Sequence, residues 1–491
     1  MVKWFILVPL NIFFDGTTFI NRKGKCNMLW IPIDRSLEIP LFRQVYQQIR
    51  EQILSGDLQS GEKLPSTREL SSELNVSRNV ILEAYDQLLA EGFLVAKRGA
   101  GTFIAEGAFL EQHKQSPLFH LSKDENNESH LISFRSGIPS LDLFPRKIWA
   151  KLSHSTWNEA SPSAFGYDLP EGRPELRQVL SRYLLKTRGV KCHPEQIVIT
   201  SGATQALTLV SKLLLSSGDT VIMEDPITND IQTIFKGSGA LLHPIPVDEY
   251  GMKTTMLPLH ITPKFIFVTP SHQFPLGGAL PIQRRIQLIN YSRNTNCYLI
   301  EDDYDSEFRY EGPPVSSLQG LEPERVIYIG SFSKILSPAL RMGYLILPSH
   351  LIEKCRKLKW LSDLHTPSLD QLILARFIDD GYLERHIAKM KKIYKSRRNF
   401  LIHCLKTTFM NKVNIIGYST GIHLTIEIFD THFSKELIEK IEQKGVKVYP
   451  VEDHTIKKGK YLNRIIIGYS HLKHEEIKEG VRRLHQAIYK S

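Results

Sequence analysis

Cysteine is scarce in this sequence, with five residues among 491, and no two of them form a C-x-x-C pair. They are spread along the chain at Cys26, Cys192, Cys297, Cys355 and Cys404. An odd number of scattered cysteines argues against a disulfide framework and against a zinc site. We therefore expect free thiols, no bound metal and a reducing, cytoplasmic location.

A long uninterrupted apolar run is also missing. The start of the chain, Met1–Ile20, is apolar, but Asn11 and Asp15 interrupt it and no clear small-residue cleavage site follows. We therefore expect no membrane anchor. Fold-like patterning begins near Met28, so residues 1–27 are predicted to be an extension outside the fold, or to reflect a start codon assigned too early.

Bulk charge does not identify a partner. The net charge of +10 is compatible with a polyanion such as DNA, but acids and bases roughly balance within residues 40–106. The apolar fraction of 42% and the charged fraction of 23% are typical of globular proteins, and the length predicts two or three folding units. The placement of basic residues must therefore carry any argument for DNA binding.

Residues 38–106 have the pattern of a winged helix-turn-helix. After a first helical apolar pattern, Ser66 and Glu69 form a capping box that begins a second helix, and Ser77 is expected to cap a third. Two short extended runs follow, joined by the basic, glycine-rich hairpin 97–101. This order predicts a DNA-binding helix-turn-helix with a wing.

Three basic elements of this region are expected to meet DNA. They are the first helix of the motif, the start of the recognition helix, which can enter the major groove, and the hairpin, which can approach phosphates or the minor groove. A lone arginine on a helix is usually only solvated, but three such elements on one face favour DNA contact. The candidate contacts are Ser66, Arg68, Ser77, Arg78, Asn79, Lys97, Arg98 and Gly99.

Residues 107–130 are polar and irregular and predict a linker, whereas residues 131–491 alternate apolar runs with helical stretches. That alternation predicts an α/β domain with a parallel sheet wrapped by helices. A smaller α+β subdomain is expected from about Leu351. The predicted strands are Ile197–Thr200, Val221–Met223, Phe265–Val268, Tyr298–Ile300 and Val326–Ile329.

Lys334 follows the last of these strands, where ligands gather in open α/β folds. A lysine in such a place can form a Schiff base with an aldehyde if its surroundings lower its pKa. Ser331, Ser333 and Arg341 could hold a phosphate beside it. Taken alone, a lysine between two serines is more often a solvated loop residue.

Asp302 lies at the end of another strand, within the acidic run 301–305. An aspartate facing a pyridine nitrogen keeps that nitrogen protonated, and Tyr304 could bond to the ring oxygen of the same group. The alternatives for these carboxylates are a solvated acidic loop or a divalent-cation site.

A third element, residues 200–205, joins a strand to a helix through Gly202. Such a turn lets backbone N–H groups close around a phosphate at the positive end of the helix. As an isolated glycine-containing turn, this element is a weak signal.

In order and spacing, these three elements resemble the fold type I pyridoxal-phosphate (PLP) aminotransferases, and Gly166–Gly172 and Pro270–Gly277 match further. Together with the winged helix, they resemble the MocR-type regulators of the GntR superfamily. The resemblance implies PLP bound as a Schiff base to Lys334 and a head-to-tail homodimer in which Tyr167 reaches the neighbouring site. It also implies further cofactor contacts at Asp302, Tyr304, Ala203, Thr204, Ser331 and Arg341.

The sequence departs from the aminotransferase pattern at several positions. Phe274 stands where the enzymes have an asparagine, which argues against efficient turnover, and Thr228 stands where an aromatic residue usually stacks on the ring. Asp230 replaces an arginine that grips the effector in members responding to γ-aminobutyrate. Arg464, although shifted in register, and Gly137 are the remaining effector-site candidates.

These features predict a transcription regulator whose aminotransferase-like domain senses an amine, an amino acid or PLP and changes operator binding. The alternative is an active aminotransferase that carries a DNA-binding domain. A cofactor sensor that controls vitamin B6 supply is a variant of the first function.

Overall fold

The computed structural model describes residues 31–109 and 131–489, and these two ranges form two separate compact units. The predicted extension, residues 1–27, lies outside the described residues, as does most of the predicted linker, 107–130.

The first unit has three helices followed by a hairpin. Buried apolar side chains from all three helices, among them Val45, Leu70 and Ile81, form its core. The hairpin strands are antiparallel, and the prediction of a winged helix-turn-helix is confirmed. The elements are α1 Leu41–Ser55, α2 Thr67–Glu73, α3 Arg78–Ala90, β1 Leu94–Lys97 and β2 Gly101–Ile104.

The two serines expected to cap helices differ. Ser66 Oγ accepts the Glu69 N–H at 3.3 Å and the Glu69 carboxylate accepts the Ser66 N–H at 2.8 Å, so the predicted capping box is present. Ser77 occupies the cap position of α3, but its side chain forms no cap hydrogen bond. The expectation of a hydroxyl cap at Ser77 is wrong, because the Ser77 carbonyl oxygen accepts the Val80 N–H at 3.1 Å instead.

The second unit is built from strands and helices that alternate over most of its length. Its strands are β3 Ile132–Ser133, β4 Ile197–Thr200, β5 Thr220–Asp225, β6 Leu241–Asp248, β7 Gly251–Met252, β8 Phe265–Val268, β9 Tyr298–Asp303, β10 Val326–Ser331, β11 Gly343–Ile346, β12 Val413–Ile416, β13 His423–Ile428, β14 Val446–Lys447, β15 Tyr449–Pro450 and β16 Arg464–Gly468. Its helices are α4 Arg146–Glu159, α5 Pro174–Arg188, α6 Ala203–Leu214, α7 Asn229–Gly237, α8 Ile282–Thr295, α9 Ile352–Asp363, α10 Ser368–Asp379, α11 Tyr382–Phe409, α12 Lys435–Gln443 and α13 His474–Tyr489.

The main sheet has the order β4-β11-β10-β9-β8-β5-β6-β7. The five predicted strands are all present in it, and β10, β9, β8, β5 and β6 are parallel neighbours. The sheet is mixed, however, because β11 runs antiparallel to both β10 and β4, and β7 runs antiparallel to β6. The predicted parallel sheet is therefore confirmed for these five neighbouring strands, whereas the antiparallel strands β11 and β7 were not predicted. β11 returns beside β10 through a loop, whereas a parallel pair needs a long crossover.

A smaller antiparallel sheet, β12-β13-β16-β15, forms a second layer with the end of the chain. Its core includes Tyr394 and Leu401 of α11 and also Phe134, from the start of the unit. Helix α10, by contrast, packs on the large sheet through Phe377. The boundary predicted near Leu351 remains a prediction, although this packing favours a later one. No helix in residues 31–109 or 131–489 is long and apolar enough to cross a membrane.

The two caps predict different effects of the same substitution. Ser66→Ala should destabilise α2 by about 1 kcal/mol because the hydrogen bond from the Glu69 N–H to Ser66 Oγ is lost, whereas Ser77→Ala should change the stability of α3 by much less. Hydrogen exchange of peptides covering residues 67–90 in the full-length protein measures both. Equal losses of protection in the two variants would contradict this assignment.

Candidate functional site

The carboxyl ends of β9 and β10 meet at one edge of the main sheet, because the two strands are parallel and Asp303 lies opposite Gly330. Strand β11 begins at the same edge, where Gly343 pairs with Ser331 on one side and with Thr200 on the other. The loop 332–342 and the turn before α6 are thereby brought together. Three elements that are far apart in the chain form one cleft.

Gly343 allows this close approach. A Cβ on this residue would lie 2.9 Å from the backbone of Gly202 and 2.9 Å from the Gly330 carbonyl oxygen. Both obstacles are backbone atoms, which cannot rotate aside. Any larger residue at 343 would push the start of α6 away from the loop.

The start of α6 offers an anion site. Ala203 and Thr204 are its first two residues, so their N–H groups have no partner within the helix and lie at its positive end. Arg341 donates to the Ser201 carbonyl oxygen, and its guanidinium lies 3.0 Å from where a Cβ of Gly202 would be. A cation thus faces a helix N-terminus, as phosphate binding requires.

Ser331 and Ser333 lie next to this anion site. Ser331 ends β10, and its Oγ accepts the Ser333 N–H at 3.1 Å, which shapes the turn that leads to Lys334. Ser333, Lys334 and Arg341 thus lie in one loop that begins directly after Ser331.

Lys334 is partly buried in the cleft. Burial lowers the pKa of its amine; Asp305 and Asp302 act to raise the pKa, whereas Arg135 and Arg341 lower it. A lowered pKa increases the fraction of free amine, which is the form that attacks a carbonyl carbon. Lys334 therefore has the environment of a nucleophilic lysine.

Asp302 is buried, and its Oδ1 has no hydrogen-bond partner among the described residues. Burial and the neighbouring carboxylates Asp303 and Asp305 raise the pKa of Asp302 to about 7. A buried polar atom without a partner is costly, so this oxygen is suited to a ligand that brings an N–H group.

The other acidic residues of the run 301–305 are buried as well, and each has partners. Glu301 accepts the backbone N–H groups of Leu318 and Gln319, both at 3.0 Å. Asp303 pairs with Arg188 at 2.8 Å, and Asp305 contacts His272 Nδ1 at 2.9 Å. The alternative of a solvated acidic loop is therefore wrong, because β9 extends to Asp303 and the four carboxylates of this run are buried.

Sequence reasoning assigned no role to a buried histidine pair beneath this edge. The ligand atoms of His272, Asp305 and His423 lie within 4.8 Å of one another. Tyr304 donates its hydroxyl hydrogen to the His272 carbonyl oxygen at 2.9 Å and also contacts Nδ1 of the ring at 3.1 Å. The only sequence signal was the presence of His272 in the matched stretch 270–277, since His423 comes from the smaller sheet.

Phe274 lies against the same group. Its ring centroid is 6.4 Å from that of Tyr304, 5.3 Å from that of His423 and 5.2 Å from that of His454. The ring fills space between aromatic groups and offers no hydrogen bond. His454, which also contacts the Asn229 N–H at 3.4 Å, brings an additional ring to the region near Thr228.

The segment 134–138 forms a wall directly beside Lys334. A Cβ on Gly137, whose φ is +74°, would lie 2.7 Å from Lys334 Nζ, so a side chain there would occupy the space next to the amine. Arg135, two residues earlier, is a charged neighbour of Lys334 that sequence reasoning missed.

Arg464 is not a free guanidinium. It lies at the start of β16, where it pairs with Glu427 at 3.3 Å and stacks on the Tyr461 ring. Asp230 is exposed at the start of α7. Tyr167 is 81% exposed, and its ring touches that of His365 edge-on.

In the first unit, all eight candidate DNA contacts are exposed. Arg78 Nε lies 3.4 Å from Thr67 Oγ1, which ties the start of the recognition helix to α2. Lys97 is folded over the Phe103 ring at 4.9 Å, whereas Arg98 lies at the tip of the hairpin.

Comparison with known proteins covers both units. Residues 129–484 match the family model for class I and II aminotransferases, and residues 41–104 match that for bacterial regulatory proteins of the gntR family. The chain is 34% identical to the uncharacterized HTH-type transcriptional regulator YdeL of Bacillus subtilis, over 93% of this chain and 98% of that protein. It is 30% identical to the probable rhizopine catabolism regulatory protein MocR of Rhizobium meliloti, over 93% and 95%. The chain belongs to the MocR-type regulators of the GntR superfamily.

The aminotransferase unit of this MocR-type regulator has solved relatives among enzymes. A crystal structure of Pyrococcus horikoshii kynurenine aminotransferase in complex with PMP is similar with a TM-score of 0.68. The two sequences are 29% identical, and the match covers 73% of this chain and 91% of the enzyme chain. The regulator therefore combines a GntR-type DNA-binding unit with a fold type I aminotransferase unit, as the resemblance implied.

The raised pKa of Asp302 predicts a pH dependence of stability. An unfolded aspartate releases its proton near pH 4, whereas folded Asp302 keeps it to about pH 7, so the folded state binds more protons between these values. The free energy of unfolding of the cofactor-free protein should therefore fall as pH rises from about 4 to 7. Urea unfolding at pH 5 and pH 8 measures this fall.

Asp302→Asn cannot ionise and should reduce the fall. A residual decline is expected from Glu224 and Glu301, whose pKa values burial also raises to about 7. Asp379→Asn, in an exposed ion pair with Arg182, serves as the control. The assignment is wrong if Asp302→Asn and the control show the same pH dependence.

Proposed function

We propose that this chain is a transcription regulator that holds PLP through Lys334 and changes its DNA binding when an amine-bearing effector reaches the cofactor. The observation that carries the proposal is a lysine of lowered pKa that shares its cleft with a buried carboxylate oxygen lacking a partner. A second support is the GntR-type DNA-binding unit in the same chain.

The residues of the cleft fit PLP. The orphan Asp302 Oδ1 matches a protonated pyridine nitrogen, and the start of α6 with Arg341 matches a phosphate. Lys334 would bond to the aldehyde, beside the space that Gly137 leaves open. When bound, PLP supplies an aldehyde that captures amines and a ring that withdraws electrons.

The protein's own groups then set what the cleft does. The Asp302 carboxylate would accept a hydrogen bond from the pyridine nitrogen and so keep that nitrogen protonated, and Asp305 orients His272, to which the Tyr304 hydroxyl is bonded. Arg341 and the α6 amides neutralise the anion. Tyr167, exposed in the single chain, is proposed to complete the site of a second subunit in a head-to-tail homodimer.

Efficient transamination is not part of the proposal. Phe274 gives the cleft an apolar ring where a polar contact to the cofactor would assist turnover, and its neighbours are themselves rings. Multiple-turnover conversion of an amino donor and a keto acid would favour the enzyme alternative, whereas a single half-reaction would not.

Lys334→Ala tests the covalent part of the proposal. An aldehyde bonded to a lysine absorbs visible light, so the protein incubated with pyridoxal phosphate should show a visible band that Lys334→Ala lacks. Lys212→Ala, which removes an exposed lysine at the end of α6, should keep it. A band that survives in Lys334→Ala would assign the cofactor to another amine.

Arg78→Ala tests the DNA-binding part. Loss of a base-contacting arginine should weaken binding to the DNA upstream of the protein's own gene by about 1 to 3 kcal/mol. Footprinting and a titration of labelled DNA measure this. Arg182→Ala, an exposed arginine of the second unit, is the control, and equal affinity of Arg78→Ala and wild type would refute the docking.

The same titration separates the possible signals. Binding is measured for the cofactor-free protein, for the PLP-loaded protein and for the loaded protein with an added amine. A change on loading alone favours PLP as the signal, whereas a change only with the amine favours an amine effector. Coupling of about 1 to 3 kcal/mol between the sites is sufficient for either.

A further inference from the structure

Arg135 is held in place beside Lys334. The Gly468 N–H donates to the Phe134 carbonyl oxygen at 2.8 Å, and a Cβ on Gly468 would lie 2.1 Å from the Arg135 carbonyl oxygen. The backbone of Arg135 is therefore packed against the end of β16. Gly137, two residues on, approaches Lys334 Nζ so closely that a Cβ would lie 2.7 Å from it.

The guanidinium of Arg135 is exposed, and within the described part of the chain its side chain has neither an ion pair nor a hydrogen bond. Arg135 is nevertheless a charged neighbour of Lys334, and Gly137 of the same segment lies directly beside the Lys334 amine. The other cleft cation, Arg341, already donates to Ser201 at the start of α6. Arg464 already pairs with Glu427.

An unpaired guanidinium next to a nucleophilic amine has a specific chemical use. The planar guanidinium group can bind a carboxylate through two parallel N–H donors, whereas the ammonium group of a lysine cannot. Such a pair also orients a ligand whose amine must reach the group at Lys334. Since Arg341 faces the site expected to hold phosphate, Arg135 remains available for a second anion.

We propose that Arg135 binds the carboxylate of the effector, so that the effector is an amino acid rather than an amine without a carboxylate. This inference rests on the proposed function, because it names the class of molecule that acts at Lys334. It also replaces Arg464 as the residue for that contact. Arg135 acts by binding and positioning the effector.

The test compares probes that differ in the carboxylate. L-alanine and β-alanine are titrated into the cofactor-loaded protein, with ethylamine as the carboxylate-free counterpart, and binding is followed by the visible spectrum and by calorimetry. In Arg135→Gln the affinity for the amino acids should fall by at least about tenfold, since charge-assisted hydrogen bonds are lost. The affinity for ethylamine should stay within about twofold.

Two further variants complete the experiment. Arg135→Lys keeps the positive charge but loses the two parallel N–H donors, so its affinity for the amino acids should lie between that of Arg135→Gln and that of the wild type. Arg293→Gln, which removes an exposed arginine paired with Glu322, should behave as wild type. Unchanged amino acid binding in Arg135→Gln, or an equal loss for ethylamine, overturns the inference while leaving the proposed function intact. A wild-type protein that responds to no probe overturns effector sensing itself, and this inference with it.

Discussion

Strand β11 is inserted between β10 and β4, and the candidate site depends on that position. Because β11 runs antiparallel to both neighbours, the loop 332–342 leaves and returns at one edge of the sheet. The same edge carries the turn that begins α6. A parallel connection would have taken the chain to the opposite end of the sheet before it could return. The antiparallel pairing therefore keeps the amine of Lys334 and the guanidinium of Arg341 within one loop.

The second constraint is electrostatic. Four carboxylates of the run 301–305 are buried at the end of β9, and three of them are stabilised by amides, by an arginine or by a histidine. Asp302 and Asp303 each keep one oxygen without a hydrogen-bond partner among the described residues, but Asp303 pairs with Arg188 through its other oxygen, whereas the Asp302 carboxylate has no such ion pair. A ligand that supplies the missing N–H group binds the folded state only, and it would stabilise the fold by mass action. Cofactor binding and stability of this unit are thus physically linked.

The candidate DNA contacts and the candidate effector contacts belong to different units of the chain. The exposed residues of α2, α3 and the hairpin have few partners, as expected for groups that meet a polyanion. In the cleft, by contrast, most charged groups are already paired within the described part of the chain. The Arg135 side chain is an exception and is therefore available to a ligand. Family membership accounts for the joining of the two units, and the charges in the cleft indicate what the second unit can bind.

Much of this protein follows from local sequence. Three features were predictable because they depend on residues that are close together in the sequence. They are the capping box Ser66–Glu69, the spacing of apolar residues and the two strands that lead to Asp302 and to Lys334. Only the tertiary structure decided the direction of β11, the pairing of Arg464 with Glu427, the meeting of His272 with His423 and the place of Arg135 beside Lys334. Those outcomes depend on which distant segments become neighbours, and strand order and packing determine that, whereas residue type and short-range spacing do not.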